Sequence, residues 1–319
     1  MPGNTPIAAS KPPKRTSMSR SRLSQFRKYK VLYIISLPGL LYFIVFKYIP
    51  LLGSAMAFQD YNIFNGFSAS PWVGLEHFRR MFEYSEFLRI LKNTILIGGY
   101  DLIFAFPVPI ILAILLNEMR VVLFKRVLQT VVYMPHFLSW VIIGGIAIGI
   151  LSPSTGLVNS MLESLGLDSI YFLGEESYIR SILVGSGIWK DSGWGTIVYL
   201  AALAGINPEL YEAARIDGAN RWKQISKITI PAILPTVVIM FLLHIGNFLD
   251  FGFERVFVFL NPLNENSGDI LDTYIYRVGL IQQQYSYTTA IGLFKSVVGL
   301  GLIMIGNTLS KKATGSGLY

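Results

Sequence analysis

Tyr211–Pro231 reads YEAARIDGANRWKQISKITIP, a polar stretch rich in Arg and Lys between two long apolar runs. Glu212 and Arg215 are i, i+3 neighbours on a helix, and Ala213 and Ala214 have high helix propensity. Gly218 supplies the backbone freedom that ends such a helix. A second helical segment over about 220–228 alternates Arg221, Lys223 and Lys227 with Trp222, Ile225 and Ile228. Pro231 is expected to stop it and let the next apolar run begin. On the residues alone two readings stand. One is an amphipathic loop at the membrane interface with its bases near lipid phosphates. The other is a knob whose small-residue surface (Ala213, Ala214, Gly218) suits close approach by another protein.

The rest of the chain is the reason a membrane enters the argument. Its 319 residues are 52% hydrophobic and only 14% charged, against about 25% charged in ordinary globular domains. The apolar residues gather into runs of about 20, enough to cross a hydrocarbon core of about 30 Å as helices. The expected class is an all-α integral membrane protein. Six spans are predicted, at about 31–57, 88–116, 127–151, 181–205, 232–252 and 288–309. The first is too long for the apolar region of a signal peptide, although Ala55-Met56-Ala57 resembles a cleavage site. Pro107, Pro109, Pro135 and Pro235 fall inside runs, which membrane helices tolerate where neighbours satisfy the freed carbonyls. Gly145 and Gly149 form a GxxxG, expected to be a close-packing face. The segments 74–91 and 156–167 show helical spacing and are expected to be short helices on the outer face.

Charge sets the predicted orientation. The net charge is +8, and eight of the bases (Lys11, Lys14, Arg15, Arg20, Arg22, Arg27, Lys28 and Lys30) lie in the first 30 residues. With the N-terminus inside, the segments 1–30, 117–126, 206–231 and 310–319 hold 17 of the 27 Lys and Arg. The positive-inside rule therefore favours both termini in the cytosol and puts 206–231 there too. Residues 1–30 read as a basic, disordered cytosolic tail beside anionic lipid, 31–310 as the six-span domain and 311–319 as a cytosolic C-terminal tail. No aromatic-interleaved basic module accompanies the N-terminal run, so nucleic acid is not an expected partner. The absence of cysteine excludes disulfides and thiolate metal sites.

Glu212-Ala213-Ala214, Gly218, Ile228, Ile230 and Pro231 resemble the EAA loop of ABC-importer permeases: E-A-A, three residues, G, nine residues, I, any residue, L, P. The departure is Ile for Leu at 230. Residues 72–95 (WVGLEHFRRMFEYSEFLRILKNTI) look like the segment entering the second span of maltose-type sugar permeases, and MPHFLSWVIIGG with GLVNSML resembles their third span and following loop. After span five the chain lacks the usual L-T-x-G-G-P-like turn. It has LNPLNENSGDILDTYIYRVGL and YSYTTAIGLFKS instead, resembling the subgroup assigned to complex oligosaccharides and polysaccharide fragments. The resemblance implies the type I ABC-importer permease fold, with a cytosolic helix–turn–helix coupling loop at 207–231. It implies a heterodimer with a second homologous permease, two copies of a cytosolic ABC ATPase and an extracytoplasmic solute-binding protein. The expected location is the bacterial cytoplasmic (inner) membrane. Glu212, Ala213, Ala214, Arg215, Asp217, Gly218, Ile228 and Pro231 would carry the ATPase contact. The chain has no GxxxxGK[ST], so ATP and Mg would bind the partner ATPases, and no cofactor is expected in this chain.

Charge inside a span costs about 2.5–3.5 kcal/mol on insertion scales, so charged residues there mark candidate substrate contacts. Span four holds Trp189, Lys190, Asp191 and Trp194. Lys190 and Trp194 share a face at i, i+4, a mix that suits sugar rings and hydroxyls. Pairing of Lys190 and Asp191 with other helices or with the second subunit is the alternative. Span five places His244, Asn247, Phe248 and Phe251 at helical spacing, with Asp250 at the stripe's edge, and lining a cavity or packing are both open. Lys295 in span six is a candidate partner for Asp250 or for an anionic sugar. A different solute remains an alternative, as does a membrane-embedded enzyme built on Asp191 and Asp250.

Overall fold

The computed structural model describes residues 28–314. The basic tail before Lys28 and the last residues of the C-terminal tail lie outside them. Among the described residues the regular structure is helical, with one isolated bridge between Gln59 and Trp72.

The chain divides after Ala55. In the first unit, helix α1 (Lys30–Phe43) passes Pro38 without breaking and continues through a π-turn at Ile44–Tyr48 into Ile49–Leu52. Its apolar side chains are exposed along the whole length, which suits a helix whose solvent is lipid.

In the second unit, α2 (Glu76–Glu83) leads into α3, a 34-residue helix over Ser85–Glu118 with a π-turn at Asp101–Ala105 just before Pro107. Then come α4 (Val122–Phe137), α5 (Trp140–Leu151), α6 (Leu157–Ser164), α7 (Glu176–Ala204), α8 (Pro208–Ile216), α9 (Arg221–Gly246), α10 (Phe253–Phe257), α11 (Leu271–Tyr274) and α12 (Tyr285–Thr314). Four helices among the described residues are long and apolar enough to cross a membrane, or five if a bent pair counts as one span. They are Lys30–Phe58, Ser85–Glu118, Arg221–Gly246 and Tyr285–Lys312.

The run at 127–151, expected as one helix, is that bent pair. α4 and α5 meet at 106°. Met134–Phe137 tightens around Pro135, and Ser139 restarts the chain as N-cap, its Oγ accepting from Ile142 N. Pro231 also behaves differently from the expectation. It does not stop a helix, because α9 runs through it. The π-turn at Ile225–Thr229 shifts the ladder just ahead of the proline, where its missing N–H and its ring would otherwise break the pattern.

Three buried clusters follow one another along α3. Phe87 and Ile90 join the first with Leu271 and Tyr287; Ile97 joins the second with Leu183 and Val256; Ala113 joins the third with Tyr199, Leu203 and Ile233. α7 supplies side chains to the second and third. Its 29 residues are enough to span a bilayer, yet it is not among the sufficiently apolar helices, and one side of it, including Leu183, Gly187, Lys190 and Tyr199, is buried in protein. Glycines permit that approach. An added Cβ at Gly193 would lie 2.0 Å from the Val132 carbonyl oxygen, and one at Gly195 3.1 Å from Pro109. The expected GxxxG face is not used within the chain: Cβ atoms at Gly145 and Gly149 would meet nothing, whereas one at Gly144 would touch Val258 at 3.1 Å.

Small residues at such seams are how membrane helices gain contact, since lipid offers no hydrophobic drive between them. Gly193→Ala is therefore expected to cost about 1–3 kcal/mol, the usual penalty of overpacking, and to lower the melting temperature in detergent. Gly185→Ala, whose Cβ would meet nothing, should leave it unchanged.

Candidate functional site

Two features stand out, an exposed connection between α7 and α9 and a cavity among α3, α7 and α9 whose mostly apolar wall carries several charged and polar groups. In the connection, Asn207 caps α8, its side chain accepting from Glu209 N at 3.0 Å, and Pro208 follows at the first helical position. The far end closes as a Schellman turn: Ala219 N donates to Ala214 O at 2.8 Å and Gly218 N to Arg215 O at 3.1 Å. Gly218 sits at φ +75° with open space beyond its Cα, so backbone conformation is what requires glycine there. Asn220 then caps α9 by accepting from Lys223 N at 2.9 Å.

Glu212, Arg215, Asp217 and Gly218 are exposed, while Ala214 and Ile228 are half-buried. Among the described residues neither Glu212 nor Arg215 belongs to an ion pair, although the two lie at i, i+3. Ile216 is 87% exposed and Trp222 75%. The connection thus presents apolar and charged side chains together on its surface.

The cavity, about 350 Å³, is lined by Asp101, Phe106, Asp191, Tyr199, His244 and Arg255, with Asn247 at one end. Its wall is set by a buried ion pair. Arg255 Nη1 and Nη2 donate to Asp101 Oδ2 and Oδ1 at 2.6 and 2.8 Å, and Nε and Nη2 also reach Leu183 O. Three segments (α3, α7 and α10) therefore converge on one guanidinium. Gly187 makes the room, since a Cβ there would lie 2.6 Å from the guanidinium carbon. Sequence reading missed this pair. A lone carboxylate in span two is a signal, but its partner lies 154 positions away, beyond the predicted end of span five.

The predicted contacts separate. Asp191 and His244 face the cavity, and Asn247 borders both this cavity and a second one of about 420 Å³ that holds Asp250 and Lys295. Lys190 is buried, donating to His136 O at 2.9 Å and to Leu138 O, with its ammonium 5.5 Å from the Trp140 ring. Its aromatic partner is thus Trp140 and not Trp194. Trp194 stacks on His136 at 4.6 Å, and His136 Nδ1 lies 3.0 Å from Asp191 Oδ1. Trp189 is 46% exposed and lines neither cavity.

The His244 stripe is also corrected. α9 ends at Gly246, so Asn247 is its C-cap, and a turn over 247–249 leads into irregular backbone at 250–252. Phe248 and Phe251 close over Gly98, which has no room for a Cβ. Lys295 pairs with Asp272 rather than Asp250, whose Oδ1 accepts from Gly252 N.

Lys190 holds carbonyls that the bend between α4 and α5 exposes. Lys190→Met is expected to lower stability by about 1–3 kcal/mol, the cost of stranding buried acceptors. Thermal unfolding of the purified chain measures this, and an unchanged midpoint would remove the clamp role.

Beyond the cavity, the segment 264–269 is tied down by side chains from α3 and α7. Asn93 Nδ2 donates to Asn266 O at 2.7 Å, and Arg180 Nη2 donates to Asn93 Oδ1 at 2.9 Å. Glu176 accepts from Asn266 Nδ2 and Ser267 Oγ, and these bonds lower its carboxyl below the ordinary value.

The chain matches the model of the family described as binding-protein-dependent transport system inner membrane component over residues 105–314. It is 46% identical to Protein LplB of Bacillus subtilis (strain 168) over 299 residues, 94% of each chain. It is 47% identical to the polygalacturonan/rhamnogalacturonan transport system permease protein YteP of the same organism over 290 residues, 91% of this chain and 90% of the relative. It resembles a chain in the crystal structure of a bacterial alginate ABC transporter in complex with alginate pentasaccharide-bound periplasmic protein. That match has a TM-score of 0.86 and 40% identity, covering 92% of this chain and 99% of that one.

Proposed function

Because the chain belongs to the binding-protein-dependent transport system inner membrane component family, we propose that it is one of two permease subunits of an ATP-driven importer for an oligosaccharide or polysaccharide fragment. The observation that carries the coupling role is the 207–231 connection, a helix–turn–helix capped at both helices whose Glu212, Arg215 and Asp217 are exposed. It is the part of this chain a cytosolic ATPase would grip. Two such ATPases, holding ATP and Mg, would close on each other and draw the two permeases' loops together. α7 and α9 run directly from the loop to the cavity, so its displacement reshapes the walls bearing Asp191 and His244.

In this reading α7 and the α4–α5 pair complete six crossings, both termini face the cytosol, and an extracytoplasmic binding protein delivers the sugar to the opposite side. The 350 Å³ cavity offers a carboxylate, an imidazole, an amide and aromatic walls, the groups that sugar hydroxyls and CH faces need. The names of the polygalacturonan/rhamnogalacturonan and alginate relatives make uronate-bearing fragments the first to test.

The test is purification of the tagged chain in mild detergent from its native membrane, with every co-purifying protein identified. Recovery of a second permease and an ATPase is expected, with a binding protein retained when uronate oligosaccharide and vanadate are present. A chain that purifies alone would sink the importer reading.

A further inference from the structure

Glu118 is the last residue of α3 and Arg221 the first of α9, and Arg221 Nη1 donates to Glu118 Oε2 at 2.5 Å. Both helices continue from this pair to the cavity. At 1.5 Å per residue, Asp101 lies about 25 Å along α3 and His244 about 35 Å along α9. α8 has its own link to α9, Tyr211 Oη to Thr229 Oγ1 at 2.9 Å, with Thr229 buried in the π-turn. A push on α8 therefore reaches α9 through that bond and the turn at 217–220. The end of α3 is joined to the connection by the Glu118–Arg221 pair, beside an open space lined by Arg120 and Arg215.

We propose that Glu118 and Arg221 form a strut that makes α3 travel with the coupling loop, so that the Asp101 wall and the His244 wall of the cavity move together. Both are positioning residues. The pair is part-exposed, 57% for Arg221 and 26% for Glu118, and such pairs add little to stability. Its geometry counts instead: it sits at the end of α3 away from the cavity, where a lever acts, while the third cluster around Ala113, Tyr199 and Ile233 is packed nearer the cavity. The inference rests on the reading of 207–231 as the ATPase contact.

The chain has no cysteine, so single cysteines report each wall separately. Ala105→Cys on α3 and Met240→Cys on α9 both line the cavity. In the complete importer, trapping with ATP and vanadate is expected to change the maleimide labelling rate at both by about fivefold or more, the lower end of usual coupling between sites. With Glu118→Arg added, Met240→Cys should still respond while the change at Ala105→Cys falls below about twofold, and Arg221→Glu should restore it. Glu118→Gln serves as a milder variant that removes the charge without reversing it, and co-purification of the ATPase shows that each variant assembles. Equal response of both walls in Glu118→Arg would overturn the strut, as would failure of the charge swap to rescue. Response of neither wall in the unmodified importer would instead overturn the ATPase-contact reading.

Discussion

A chain carrying Glu212→Lys and Gly218→Pro together should insert and fold, yet lose import by about a hundredfold or more. Gly218 has φ +75°, and proline is locked near −65°. Proline also deletes the Gly218 N–H that donates to Arg215 O. The α8–α9 turn must then open, but nothing else is displaced, because the space beyond Gly218 is empty. Glu212 is exposed and unpaired within the described residues, so its charge reversal spends no internal contact and is felt by a partner. Loss of one interface hot spot costs about 2 kcal/mol or more, and two of them give the stated factor at about 1.4 kcal/mol per tenfold. The measurement is sugar uptake with ATPase activity in reconstituted vesicles, beside a melting curve in detergent. Unchanged uptake and ATPase stimulation would sink the coupling role, and a collapsed melting curve would make it a folding effect.

The second large effect belongs to Asp101 and Arg255. Their side chains are only 7% and 8% exposed, and removing one partner leaves the other charge buried alone. Asp101→Leu is expected to cost about 3–5 kcal/mol, as is Arg255→Met. The double variant Asp101→Leu with Arg255→Met should recover most of that loss, because an apolar pair of similar volume needs no compensating charge. Unfolding in detergent with added denaturant measures all three. A double variant as unstable as the worse single would mean that the guanidinium's bonds to Leu183 O, and not the ion pair, hold the segments together. Import by the double variant is a separate readout, since both side chains line the cavity.

What could be read from the sequence divides along physical lines. Runs whose whole circumference is apolar announced themselves as α1, α3, α9 and α12, because lipid selects composition all round a helix. The helix–turn–helix at 207–231 was legible through the spacing of Glu212, Gly218 and Pro231, although the continuity of α9 through Pro231 was not. A π-turn leaves no mark in the hydropathy pattern. The bend between α4 and α5 had a cue in Pro135, but its depth depends on Lys190 reaching two carbonyls from another helix. Asp101–Arg255 and Asp272–Lys295 are tertiary pairs with no shared period. Phe248 and Phe251 were misplaced because helical spacing was carried past the true end of α9.

The composition of α7 has a consequence for how the protein is made. In the proposed six-span arrangement it is a crossing segment, yet it holds Lys190 and Asp191 side by side and falls short of the hydropathy a bilayer demands of a lone helix. A ribosome-bound chain would deliver it to the translocon as a poor lipid partitioner, retained only when α3 and the α4–α5 pair stand ready to shelter its polar face. Biogenesis thereby acquires an order of assembly, in which a helix that joins two of the buried clusters depends on its predecessors for admission.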